Sequence, residues 1–447
     1  MTINLPREVE YIINRLYQSG YEAFAVGGCV RDSLLDRVPN DWDIATDAQP
    51  DVVMQLFKDL HTIPTGLNHG TVTLVMNGSN FETTTYRIDG EYSDNRRPDR
   101  VDFTQSIEDD LKRRDFTINA MAYNNKQGLI DFFGGQEDLK NKIIRCVGDA
   151  NERFSEDALR MLRAVRFSAQ LGFSISYETK NAIIQNARLL NKVSRERIRS
   201  EFEKILISEF PGRLQDLVEL GLIEEIIPEF SNCKGYPQKH PYHVYSVDEH
   251  IYKVVENVRN DVVLRWAAFL HDIGKPECRT VDEKGIDHFY GHNRASARIA
   301  RKTLHNLRVD NDTINKVVKL VLNHDLTVGE SRKSICKWLN KLGKQGFARL
   351  LELRAADISA QNPVFYESSY SKLNKIKSLY KNIIENEYCY SIQDLAIDGE
   401  DLKRIGCKEG KEIGRVLKRL LDIVMEDPDI NTKEKLIEKV KLINRLK

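Results

Sequence analysis

Asp41 and Asp43 stand two residues apart at the end of the stretch FAVGGCVRDSLLDRVPNDWDIATD (24–47), which also holds Gly27, Gly28 and Arg31. If DWDIA is a strand, both carboxylates point to one face. Carboxylates side by side repel unless a cation sits between them, and hard oxygen ligands suit Mg²⁺. Nearby glycines let main-chain N–H groups approach a polyphosphate closely. These are the parts of a metal-dependent nucleotidyl-transfer site. A second pair, Asp157 and Arg160 in SEDALRMLRAVRFSAQ, is spaced to share one helix face and so set an acceptor beside a donor fork. Cytosine and adenine offer an amino donor next to a ring-nitrogen acceptor, whereas uracil and guanine offer the inverse. Such a pair accepts C and A and rejects U and G.

Histidines supply a third constellation. His250 lies in SVDEHIYKVVENV, His271-Asp272 follows the apolar run LRWAAFL, His292 lies in FYGHNRAS, His324 in LVLNHD and Asp357 in LRAADISAQNP. Imidazoles around one bridging carboxylate bind one or two divalent metals of a kind that activate water against a phosphoester. His240, His243 and His305 fit no part of this pattern and are expected to be structural.

The elements that must position these groups follow from periodicity. Residues 6–19 read as a helix with Val9, Ile12, Ile13 and Leu16 on one face. The run before Gly27 reads as a strand, SLLD as a short helix and DWDIA as a second strand. The β-branched runs 70–75 and 81–87 read as further strands. Glu82 is either a third carboxylate facing Asp41 and Asp43 or a solvent-facing strand residue, and the residues alone favour the latter. RIDGEYSDNRRPDR (87–100) reads as a mobile loop, and Asp131-Phe132-Phe133-Gly134-Gly135 as a break. Ser155 is the expected N-cap of a helix running through Gln170, with Leu159, Leu162 and Phe167 in the core and Arg163 and Arg166 as a basic stripe or as solvated arginines. VSRERIRSEFEKIL reads as a solvated face of paired charges.

A chain of 447 residues exceeds one core and implies about three domains. Acidic and basic residues cancel at 67 each, so attraction for a polyanion must come from local concentrations of Lys and Arg, and the KRIGCKEGKEIGRVLKR segment supplies one near the C-terminus. The seven cysteines include no C-x-x-C pair, which argues against a disulfide framework and a thiolate zinc site. The absence of a membrane-length apolar run and the start MTINLPREVEYII lead to the expectation of a cytoplasmic protein with no membrane partner.

GG-x-VRD followed by D-x-D resembles the nucleotidyltransferase superfamily that includes DNA polymerase beta. Together with Arg113-Arg114-Asp115 and EDxxR, it resembles the bacterial class II tRNA nucleotidyltransferase and poly(A) polymerase family. The ordered histidines resemble the HD phosphohydrolase superfamily. The resemblance implies an α+β fold: a polymerase-beta-like head with a small mixed sheet (1–137), then a helical neck for base selection and RNA binding (138–230), an HD-type helical body (231–362) and a helical tRNA-binding tail (363–447). It implies Mg²⁺ on Asp41 and Asp43. Gly27, Gly28, Arg31 and Arg114 then bind phosphates, Asp115 the ribose, Asn119 the nucleotide, and Arg163 and Arg166 the triphosphate or RNA end. Asp157 and Arg160 read the base. A divalent metal of unspecified identity is implied at the histidines. The substrates implied are CTP, ATP and tRNA, with C, C and A added in turn. HGTVT (69–73) favours the tRNA-repair branch, the loop at 87–100 favours full CCA addition, and Gly134-Gly135 is implied to be a hinge. An A-adding enzyme, a poly(A) polymerase, an HD hydrolase with an RNA-binding head and a plain RNA-binding scaffold stay open, as does the oligomeric state.

Overall fold

The computed structural model describes residues 2–90 and 101–445. They form two compact units, Met1–Ser231 and Asn232–Lys447, and the fold is α+β, with a mixed sheet near the N-terminus followed by helices.

In the first unit, α1 (Arg7–Gln18) buries Val9, Ile12, Ile13 and Leu16. The fully buried β1 (Ala23–Val26) leads into α2 (Gly28–Leu34) and β2 (Asp43–Thr46). Next come α3 (Pro50–Leu56), β3 (His61–Gly66), β4 (Thr71–Met76), β5 (Ser79–Thr85), the hairpin β6 (Arg87–Asp89) and β7 (Val101–Phe103), and α4 (Ile107–Lys112). β8 (Ala122–Asn124) and β9 (Gly128–Ile130) close a seven-stranded sheet of order β3-β4-β5-β2-β1-β8-β9. Its pairings are antiparallel except β2 with β5. Phe24, Val26, Ala45, Tyr86, Leu111, Ala120, Ala122 and Val147 form the core beneath it. Then follow α5 (Gly135–Asn141), β10 (Ile143–Ile144), α6 (Ala150–Glu156), α7 (Leu159–Leu171), β11 (Ser174–Ile175), α8 (Tyr177–Asn186), α9 (Arg195–Leu206), α10 (Leu214–Glu219) and α11 (Leu222–Ile226). Leu159, Leu162 and Phe167 of α7 are buried.

Several local readings change. The helix after β1 starts at Gly28 rather than at Ser33, so Arg31 and Asp32 ride on it. Asp41 precedes β2 instead of lying within it. Residues 87–89 form a strand, not loop; the rest of that expected loop, 91–100, lies outside the described residues. Gly134 and Gly135 do not form a loose hinge: Asp131 accepts hydrogen bonds from the N–H groups of Gly135 and Gln136 at 2.8 and 2.9 Å. A Cβ on Gly135 would stand 2.4 Å from the Thr117 carbonyl oxygen, so this glycine is there for close packing. Ser155 is not an N-cap but lies inside α6. The helix breaks at Asp157, whose φ of −139° is extended, and Asp157 Oδ1 accepts from Leu159 N at 3.0 Å, taking over the cap of α7.

The second unit is helical: α12 (Val247–Asn257), α13 (Val262–Leu270), a short hairpin β12 (Thr280–Val281) and β13 (Asp287–His288), α14 (His292–Asn306), α15 (Asn311–Asn323), α16 (Arg332–Ser359), α17 (Tyr366–Glu385), α18 (Gly399–Arg404), α19 (Lys411–Glu426) and α20 (Lys433–Arg445). α13, VVLRWAAFL, is buried from Leu264 to Leu270, and its one charged residue, Arg265, donates to the Arg259 and Val255 carbonyls; so apolar a helix belongs at the centre of its unit. α16 is interrupted at Gly343, with φ of 73°. Among the described residues no helix is long and apolar enough to cross a membrane.

Candidate active site and candidate metal centre

The sheet register builds the first site. Val26, the last residue of β1, pairs with Asp43, which places the Gly27-Gly28 turn beside the carboxylates. Ile44 pairs in parallel with Thr83, so Glu82 follows Asp43 onto the same end of the sheet. Asp43 lies at the surface, yet its pKa is pushed up to about 6. Loss of water around the carboxylate is the main cause and the charge of Asp41 the second; Glu82 adds to it and Arg114 opposes it. A carboxylate made harder to ionise by burial and by neighbouring carboxylate charge is what a divalent cation relieves. Glu82 is exposed on β5, as its reading as a solvent-facing strand residue has it, and its charge also reaches Asp43; the pairing that brings it there links residues far apart in the chain.

Gly27 contributes space rather than a phosphate donor. Its N–H is held by the Met121 carbonyl at 3.1 Å, its φ is +80°, and a Cβ there would meet Arg114 Nη1 at 2.7 Å. Arg114 is anchored on Asp110 at 3.3 Å and lies over this turn. A chain of side chains then runs inward from α2. Arg31 donates to Asp32 at 2.8 Å and to Asn119 Oδ1 at 2.6 Å; Asn119 donates to Asp115 Oδ1 at 3.1 Å. Asp115 Oδ2 accepts from Arg163 Nε at 2.7 Å and Nη2 at 2.5 Å. Arg31, Arg163 and Arg166 surround the ring of Phe167 at 5.1, 5.5 and 4.1 Å, and Arg166 pairs with Glu201 at 2.7 Å. Burial and the neighbouring Arg163 bring Arg166 down to about 10. Arg163 and Arg166 are thus neither solvated nor a surface stripe; they belong to a concentrated, partly buried cationic wall suited to phosphates.

Burial alone would raise the Asp115 pKa, but Arg163, Asn119 and Arg160 hold it at about 2, below its ordinary 3.8. The pair therefore stabilises the fold above the ordinary value, and that contribution is lost as pH falls through about 2. Asp115→Asn is expected to cost on the order of 2 kcal/mol at pH 7, with the gap to wild type narrowing below pH ~4 in denaturant titrations.

The expected base readers are near this chain but not paired with each other. Arg160 donates to Glu156 Oε2 at 2.5 Å and to the carbonyls of Arg153 and Arg113 at 3.1 Å each. Asp157 Oδ2 accepts from Arg197 at 2.7 Å. Arg197, in the segment read as a solvated charged face, is therefore a partner of the site that the sequence reading missed; the contact crosses from α9 to the break before α7.

The second unit gathers all six expected ligands from α12 through α16. Each of four imidazoles donates its Nδ1–H to a main-chain carbonyl: His250 to Ala360 at 3.1 Å, His271 to Ala268 at 2.7 Å, His292 to Phe289 at 2.8 Å and His324 to Val321 at 2.7 Å. This fixes the tautomer and leaves Nε2 as a lone pair pointing inward. Asp272 Oδ2 lies 3.5 and 3.3 Å from Nε2 of His250 and His271; Oδ1 lies 3.4 and 3.5 Å from Nε2 of His292 and His324. Asp357 is 3.0 Å from His250 Nε2. Lone pairs thus face lone pairs, His250 to His271 at 3.4 Å and His292 to His324 at 3.2 Å, and Asp272 Oδ1 is buried with no hydrogen-bond partner. The donors group as His250, His271, Asp272 and as Asp272, His292, His324. Each group could hold a metal ion, and Asp272 belongs to both. His240 and His243 also differ from their structural reading: both line the cavity over this cluster, and the His243 ring lies 5.5 Å from that of His250.

Fold and site together define a nucleotidyltransferase head on a helical chain with a separate histidine centre. Three family models match: the poly A polymerase head domain over 23–145, a probable RNA and SrmB-binding site of polymerase A over 172–234, and a tRNA nucleotidyltransferase domain 2 over 290–440. The CCA-adding enzyme of Geobacillus sp. (strain WCH70) is 57% identical over 212 residues, 47% of this chain and 52% of that protein; the chain spans about half the length of the curated relatives it matches. The crystal structure of the Bacillus stearothermophilus CCA-adding enzyme in complex with CTP is 30% identical, with a TM-score of 0.75 over 99% of both chains. The Thermotoga maritima CCA-adding enzyme complexed with tRNA shares the fold, with a TM-score of 0.62 over 100% of both chains at 22% identity. The chain belongs to the CCA-adding enzyme family.

Proposed function

We propose that this protein adds C, C and A to the 3′ ends of tRNA from CTP and ATP, in the cytoplasm and without a nucleic-acid template. The observation that carries the reading is the continuity of one site: the Asp41, Asp43 and Glu82 carboxylates, the Arg31–Asn119–Asp115–Arg163 chain and the Asp157 and Arg160 side chains all belong to one unit. In the reaction, the tRNA 3′-oxygen bonds to the α-phosphorus of the nucleotide and pyrophosphate leaves. Asp41, Asp43 and Glu82 would hold Mg²⁺, which when bound lowers the pKa of the attacking hydroxyl and neutralises the triphosphate. Arg114, Arg31, Arg163 and Arg166 orient the phosphates, and Gly27 keeps the turn beneath Arg114 open. Asp115, already bonded to Asn119 and Arg163, would take a ribose hydroxyl. Asp157 and Arg160 read the base. The neck (138–230) would carry base selection, and the tail (363–447) would carry RNA contacts. Incubation with Mg²⁺, labelled CTP or ATP and tRNA lacking its terminal CCA tests this: label from both enters tRNA, whereas label from UTP and GTP does not. Incorporation of ATP alone, on tRNA already ending in CC, would make this an A-adding enzyme instead.

We further infer that the histidine centre binds two divalent ions and hydrolyses phosphoesters, supported by the inward Nε2 lone pairs and the orphaned Asp272 oxygen. Elemental analysis of dialysed protein is expected to give two ions per chain, and Asp272→Ala to lose both, because that carboxylate serves both groups.

A further inference from the structure

The histidine centre lies on a cleft with two unlike ends. On one side is a cavity of about 270 Å³ that includes His243, Lys275, His288 and Tyr290. On the other is one of about 470 Å³ that includes Arg354, Ser369 and Lys372. The two have His324, Asp325, Asp357 and Gln361 in common, so they adjoin at the ligands. A phosphate ion needs far less room; this is the scale of an organic ligand.

The first end is aromatic. Tyr290 is 76% exposed, yet its ring is not loose: it stacks on His288 with centroids 5.3 Å apart and planes 7° from parallel. His288 in turn meets His240 edge-on at 5.9 Å, and His240 stacks on Tyr242 at 5.4 Å. One face of Tyr290 is thus supported from below and the other is left to solvent, two residues before the ligand His292. A large ring braced in this way is a platform for a nucleobase. The second end is cationic. Lys372 is exposed and Arg354 is half-buried, donating to the Leu326 carbonyl; Glu330 in the same wall is turned to Lys375 at 3.5 Å. Lys372 and Arg354 line the cavity that adjoins the ligands His324 and Asp357, so a strand offers them a further phosphodiester that a mononucleotide lacks.

We propose that this cleft binds the phosphate-bearing end of a single-stranded oligonucleotide, with the terminal base on Tyr290, the terminal phosphate at the Asp272 centre and the preceding phosphodiester at Lys372 and Arg354. This rests on the reading of the histidine centre as a metal-dependent phosphohydrolase. The test uses the full-length protein and a tetranucleotide ending in 2-aminopurine 3′-phosphate, whose fluorescence drops when the base stacks. Binding is followed by titration in EDTA and again with Mn²⁺, with 3′-AMP as competitor, and metal content is measured on the same preparations. Tyr290→Ala is expected to abolish the quench and weaken tetranucleotide binding about 10-fold, and Tyr290→Phe to retain both. Lys372→Gln is expected to weaken the tetranucleotide and flatten its salt dependence while leaving 3′-AMP unchanged. All three side-chain changes leave the metal content at that of wild type. Equal affinity for 3′-AMP and tetranucleotide, or a quench unchanged in Tyr290→Ala, overturns the strand reading. A wild-type protein without bound metal overturns the hydrolase reading beneath it.

Discussion

Asp43→Ala is expected to lower the rate of nucleotide addition by at least about 10³-fold, while leaving the protein folded. The carboxylate is at the surface, at the first position of β2, and the β1–β2 pairing is made by main chain. What it removes is the proposed metal ligand and a charge that Asp41 and Glu82 oppose. A pKa raised from 3.8 to about 6 means that the folded protein holds this proton more tightly than the unfolded chain does. The ionised group therefore destabilises the metal-free fold above pH ~6, and that penalty fades as pH falls towards the ordinary value. In EDTA at pH 8 the variant should accordingly melt higher than wild type, with the difference shrinking below pH 6. Added Mg²⁺ should raise the melting temperature of wild type but not of the variant, because only wild type keeps the site. Lost activity in a protein that is more stable without metal separates a missing ligand from a damaged fold.

Asp157→Ala and Arg160→Ala are expected to lower kcat/KM for both CTP and ATP by about 10²-fold or more, and to bring UTP to within about tenfold of CTP. A site built to hydrogen-bond one pattern of base edge rejects the inverse pattern because its own buried groups would go unpaired. Arg197 holds Asp157 and Glu156 holds Arg160, so on the proposed reading both side chains are oriented before a base arrives and exchange these partners for it. Each variant removes one of the two functions and loosens the other's surroundings, hence loss of rate and of discrimination together. Steady-state kinetics with all four nucleotides on one tRNA measure both. A uniform drop with selectivity intact would assign these residues to the fold and remove them from base reading.

The parts of this protein legible in its sequence are those built from local spacing. The α1 face, the strand before Gly27 and the ordered histidines each depend on residues close in the chain or on a distinctive residue type at the end of an apolar helix. The break between α6 and α7 was not legible, because SEDALRML is good helix sequence throughout and the same acids that suit a first turn also suit a cap. Only the extended backbone of Asp157 shows that it ends one helix and starts the next. The surroundings of Glu82, Arg197, His243 and Tyr290 are not legible for a different reason. Each reaches its place through tertiary pairing, β2 with β5 or a cavity wall from several helices, and a lone strand acid, a charged helix face or an isolated aromatic has an ordinary alternative that local pattern favours. The glycines add something local pattern does not carry: at Gly27 and Gly135 a Cβ would meet Arg114 and the Thr117 carbonyl.

The central claim is that one site adds three nucleotides in a fixed order. The most direct measurement supplies wild-type protein and Mg²⁺ with three tRNAs, ending before CCA, after C and after CC, each with CTP, ATP or both, and sizes the products to one nucleotide. Two additions from CTP are expected on the first tRNA, one on the second and none on the third, with ATP adding a single residue only after CC. Extension of the CC-ending tRNA alone, or a long A tract on any of the three, would contradict it.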